Sequence, residues 1–159
     1  MFETAHPLVH QAVIWIFAAI LGFAALGDAR EYHIPNRLVL AIGALYPAHV
    51  LANPADVAWL SALAVSAATF TVAFILFSRG YMGGGDAKLM AAGALWAGPD
   101  LALPFIFVTA LAGGLLSLLI LLPMRLRSGE VAVARVPVPY GVAISAGGLF
   151  VAMRLLTGT

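Results

Sequence analysis

Residues 79–98 read RGYMGGGDAKLMAAGALWAG, and the reading of this stretch decides how many times the chain crosses a membrane. Three glycines, Gly83 to Gly85, precede Asp86, and an apolar run over 87–98 ends at Pro99. A helix over that run is about 18 Å long at 1.5 Å per residue, against a hydrocarbon core of about 30 Å. It is too short to span unless the peptide around Asp86 lies at or below the lipid headgroups. Irregular backbone at that depth must line a cavity or be buried in protein.

Working outward, further apolar runs cover 8–27, 35–52, 57–78, 101–123 and 137–157. A spanning helix needs roughly 17 to 25 residues, a length that 35–52 meets when Pro35 opens its first turn. With the short run included, the expected fold is all-α: a single polytopic domain over 1–159 with six transmembrane helices. Composition agrees, since 63% of residues are hydrophobic and 9% charged, where soluble domains carry about 25% charged residues. The mean hydropathy is +1.03.

Charge placement tests the count. Eleven of the fifteen charged residues fall in the breaks 28–37, 79–88 and 124–135, which six crossings put on one side. Those breaks hold Arg30, Arg37, Arg79, Lys88, Arg125, Arg127 and Arg135, and only Arg154 belongs to the other side. The positive-inside bias makes these loops cytoplasmic and both termini outside. No Lys or Arg precedes the first run, so it reads as a helix and not as a cleaved signal. Small residues at helical spacing, Ser61, Ala64, Ala68, Ala73, Gly113, Gly114, Gly141 and Ser145, are expected to pack helices closely.

Absent side chains exclude several chemistries. With no cysteine there is no disulfide, thiol nucleophile or thiolate metal site. His6, His10, His33 and His49 are scattered along the chain, and a net charge of +1 leaves no footprint for nucleic acid. No cofactor or metal is expected. Two acids stand out instead. Asp28 ends the first apolar run, six residues before Ile34-Pro35-Asn36, and Asp86 follows the glycines. Each has a bland explanation, a solvated interfacial charge for Asp28 and a helix N-cap for Asp86. Topology nevertheless puts both at cytoplasmic helix ends. Two neighbouring carboxylates share one proton, so one can activate water while the other protonates a substrate. Helix dipoles assign Asp86, at a helix N-terminus, as base and Asp28, at a C-terminal end, as acid.

Asp28 with Ile34-Pro35-Asn36, Gly83-x-Gly85-Asp86 with Lys88, and Pro139-Tyr140-Gly141 opening the last helix together resemble the type IV prepilin peptidases, intramembrane aspartic proteases of the GxGD class. The resemblance implies catalysis by Asp28 and Asp86, with Gly83, Gly85, Lys88, Pro35, Asn36, Pro139, Tyr140 and Gly141 in support. It implies leader removal from a prepilin-like membrane substrate at the cytoplasmic face of the inner membrane. Longer bacterial members also methylate the new N-terminus and carry an insertion with paired cysteines. The insertion and the cysteines are missing from these 159 residues, so the resemblance is to short forms serving Flp-type tight-adherence pili or archaellins, without methylation. Two alternatives stay open: a small proton- or cation-coupled transporter using Asp28 and Asp86, and a noncatalytic assembly protein. The oligomeric state is not legible.

Overall fold

The computed structural model describes residues 7–52, 57–128 and 138–158. Among them are five α-helices: α1 (Pro7–Glu31), α2 (Asn36–Ala52), α3 (Trp59–Ser78), α4 (Gly84–Ser128) and α5 (Tyr140–Thr157). His6, Arg135 and the expected opening of the last segment at 137 lie outside the described residues. Windows in α1, α3, α4 and α5 are long and apolar enough to cross a membrane, and α2 is a shorter apolar helix.

The expected fourth and fifth segments are two helical arms of α4, which abut at a non-helical residue without an intervening loop. The join is a reversal at one residue. Gly98 has φ 60 and ψ −169, a conformation essentially reserved for glycine, and Pro99 follows it. A continuous helix would separate Gly93 from Phe105 by about 18 Å. Instead the Phe105 ring reaches within 2.6 Å of where a Cβ on Gly93 would sit. The two arms of α4 therefore run antiparallel, side by side. The break was expected after residue 98; a turn made within Gly98 itself leaves no gap between the helices.

Other boundaries also move. α1 continues past residue 27 to Glu31, so Asp28 stands in its last turn. α4 starts at Gly84 and not at 87, which puts Gly84 and Gly85 inside the helix and Asp86 in its first turn.

Close approach between helices depends on small residues. A Cβ on Gly148 would lie 2.6 Å from Leu21, and one on Gly147 would overlap Thr109, so α5 is seated between α1 and α4. Among the small residues expected to pack, Ala73, Gly113, Gly141 and Ser145 are buried, whereas Ser61, Ala64, Ala68 and Gly114 are exposed. Farther from Asp28, Trp96 joins three helices. Its ring stacks on Phe17 of α1 at 4.0 Å and on His49 of α2 at 4.9 Å, and its Nε1 donates to the Ile42 carbonyl at 3.1 Å. His10 stacks on His49 at 5.1 Å, so these two histidines form a pair and are not scattered. Ser66 Oγ donates to the Ala91 carbonyl at 2.9 Å, joining α3 to α4.

Because Gly98 holds a conformation costly for any side chain, Gly98→Ala should destabilise the protein by roughly 1–3 kcal/mol. Gly43→Ala, whose Cβ would meet nothing within 4 Å, is the helical control and should be neutral or stabilising. Unfolding in detergent compares the two, and equal stabilities would contradict the turn.

Candidate active site

Four helix ends meet at one end of the bundle. α1 closes there when the Tyr32 amide donates to the Asp28 carbonyl at 3.0 Å. Pro35 then restricts the backbone ahead of α2, and its carbonyl accepts from the Leu38 amide at 3.0 Å, forming the first turn. α4 begins beside them, and Pro139 is the N-cap of α5. A cleft opens between the ends of α1, α2 and α4, lined by Asp28 and Asp86 together with Tyr32 to Ile34, Asn36, Gly83 to Gly85 and Lys88.

Asp28 is 4% exposed, and its Oδ2 has no hydrogen-bond partner. Gly141 packs directly on it: a Cβ there would stand 2.8 Å from Oδ2 and 2.9 Å from Cγ. The amides of Gly141 and Val142, at the start of α5, are directed at this carboxyl. Asp28 therefore faces a helix N-terminus as well as ending a helix. Asp86 likewise occupies the first turn of α4. The expected division into base and acid by helix dipoles loses its footing, because both carboxyls lie at N-terminal ends.

Asp86 is partly buried and curls back over its own turn. The Gly83 amide is directed at its carboxyl, and a Cβ on Gly83 would lie 2.8 Å from Oδ2. Asp86 is thus not the N-cap of the bland reading but a first-turn residue that reaches back to the amide preceding the helix, and the same carboxyl lines the cleft and senses the charge of Asp28.

The remaining expected residues divide. Lys88 Nζ donates to Asn36 Oδ1 at 3.0 Å, so the cleft's ammonium is held by a neutral amide and not by Asp86. Gly85 meets Ile34, with 3.2 Å between its Cβ position and the Ile34 Cβ. Pro139 is buried in the cap of α5. Tyr140 points away from the cleft, its ring 3.7 Å from the Cβ position of Gly113 on α4. Tyr32, His33, Ile34 and Gly84 also line the cleft, although the sequence reading gave them no role. Their position inside the charged break 28–37 and the glycine run was the available signal.

A bundle of apolar helices with two carboxyls facing one cleft has the donor set of a membrane-embedded aspartic peptidase. The chain belongs to the type IV leader peptidase family, whose model matches residues 15–118. That range includes Asp28, Ile34 to Asn36 and Gly83 to Lys88, and ends before Pro139. A curated relative, the prepilin leader peptidase/N-methyltransferase of Bacillus subtilis (strain 168), is 29% identical over 136 residues, covering 84% of this chain and 52% of the relative. The chain thus spans about half that relative's length. No solved structure matches it. Apolar helices and family together make it a multi-pass membrane protein.

A methyl group on Gly83 would displace the Asp86 carboxyl, and on the catalytic reading proposed below a displacement of about 1 Å can cost on the order of 100-fold in rate. Gly83→Ala should therefore lose peptidase activity by that order while keeping the thermal stability of the parent. Retained turnover, or a collapse in stability, would each contradict this geometry.

Proposed function

We propose that the chain is an intramembrane aspartic endopeptidase that removes the leader of type IV prepilin-like precursors at the cytoplasmic face of the inner membrane. The observation that carries this reading is the shared cleft of Asp28 and Asp86, each shaped by a glycine that leaves no room for a side chain.

In the reaction, the ionised carboxylate takes a proton from water as the water oxygen bonds to the scissile carbonyl carbon. The protonated partner gives its proton to the carbonyl oxygen. Collapse of the resulting gem-diol breaks the C–N bond: a hydroxyl proton returns to one carboxylate, and the other acid protonates the leaving nitrogen. The pair ends as it began, with one proton between two carboxyls.

Topology supports the assignment of the face. The reversal at Gly98 directs the second arm of α4 back toward the cleft end, where α5 begins against Asp28. Six crossings with both termini outside require this parity, and they bring Arg30, Arg37, Arg79 and Lys88 to one side. The precursors in this reading are Flp-type pilins or archaellins, and the new N-terminus is left unmethylated.

Reconstituted in lipid with a prepilin from the same genome, the wild type should release a leader-sized mass. Asp28→Asn and Asp86→Asn should each abolish that release while remaining folded and inserted, and Lys88→Ala should only slow it. The mature product should carry no added methyl mass when S-adenosylmethionine is supplied. A folded wild type that cleaves no encoded prepilin, or an Asn variant cleaving at the normal rate, would overturn the assignment.

A further inference from the structure

The turn joining α1 to α2 contains a left-handed residue that is not glycine. Tyr32 has φ 51, a conformation unfavourable for a residue with a side chain. Two residues later the turn delivers Ile34, which is 4% exposed although it stands at a polar cleft. Its Cβ lies 3.2 Å from the Cβ position of Gly85, and its Cδ1 lies 2.6 Å from that of Gly141. Gly85 immediately precedes Asp86, and Gly141 is the residue packed on the Asp28 carboxyl. One side chain is therefore wedged between the segment that carries one acid and the segment that abuts the other.

Its stiffness suits that place. Ile is branched at Cβ and restricted in χ1, and the following Pro35 restricts the backbone of Ile34 itself. Among the described residues no ion pair holds either carboxyl, and the one side-chain hydrogen bond across the cleft runs from Lys88 to Asn36. The relative position of the acids rests on packing.

We infer that Ile34 is a positioning residue for peptide hydrolysis, a wedge that sets the separation of the Asp28 and Asp86 carboxyls through Gly141 and Gly85. The inference rests on the reading of those two acids as the catalytic pair. Ile34 acts through the two glycines, and neither donates nor accepts a proton.

The contacts separate by substitution. Ile34→Val removes Cδ1, the atom against Gly141, and keeps the Cβ that meets Gly85. Ile34→Ala removes both γ carbons as well and leaves Cβ as the one side-chain atom against Gly85. In lipid-reconstituted protein, Ile34→Ala should lower kcat by roughly 100-fold with KM within about twofold, and Ile34→Val should fall between it and the parent. Gly141→Ala should be severely impaired, because its methyl meets both Ile34 Cδ1 and the Asp28 carboxyl. Ile34→Val/Gly141→Ala should recover part of that loss, since one of the two clashes is gone. Unchanged kcat in Ile34→Ala, a parallel change of kcat and KM with lost stability, or strictly additive losses in the double variant would overturn the wedge.

A second measurement does not depend on activity. The sequence has no cysteine, so Asp28→Cys/Asp86→Cys can be bridged with thiol reagents of graded length without background. One preferred length is expected with Ile34 present and a broad range with Ile34→Ala. Identical profiles would overturn the inference. An inactive wild type would count against the peptidase reading alone and leave the bridging result to decide the wedge.

Discussion

A single backbone conformation governs the architecture: φ 60 and ψ −169 at Gly98, where α4 reverses direction. Without it α4 would be one rod of 45 residues, about 68 Å long and more than twice the thickness of a bilayer's apolar core. With it, the shorter arm runs away from the cleft and the longer arm returns. The N-terminus of α5 then meets the C-terminus of α1, and Gly141 arrives at Asp28. The packing of α5 on Asp28 is a consequence of this parity, whereas the two acids both precede Gly98 and meet through the earlier turns. They are 58 positions apart in sequence, on helices that meet only because the chain has turned back the required number of times.

At the cleft, ordinary stabilising devices are sparse. Asp28 is buried with one carboxyl oxygen unpartnered, and an unmet buried polar group costs about 1–3 kcal/mol. The nearby cation, Lys88, is engaged by Asn36. A tight Lys88–Asp86 ion pair would neutralise one acid and remove the shared proton on which the proposed chemistry depends. Glycines contribute in a complementary way. Gly83 and Gly141 let backbone approach each carboxyl closely, and the amide N–H groups there supply polar partners without adding a net charge.

The apolar runs, the two acids and the glycine run around Asp86 were legible in the sequence because a bilayer imposes length and composition on whatever crosses it. Which face of each helix turns inward was not. In water, hydropathy separates core from surface; in lipid both are apolar, and the contrast disappears. Thus Phe17 and Trp96 are buried, while Trp15, Phe23 and Phe107 are exposed, although no local pattern distinguishes them. Small residues share the ambiguity: Gly147 and Gly148 of α5 leave no room for a Cβ, whereas Ser61 and Ala64 of α3 are exposed. Ile34 was legible only as part of a motif. Its role in packing depends on Gly85 and Gly141, which are remote in sequence and converge only in the folded chain.

The two ends of the bundle are held by different means. From mid-bundle outward, the rings of Phe17, Trp96, His49 and His10 form a continuous stack that joins α1, α2 and α4. Large stacked surfaces resist relative displacement of those helices, so α1 and α4 enter the cleft end with their separation already constrained. What remains adjustable is local: the last turn of α1, the first turn of α4 and the start of α5. A small, stiff wedge is effective in that setting because it has to correct only ångström-scale displacements between helices already aligned elsewhere. The same side chain placed in an unsupported bundle would move with the helices it touches and fix nothing.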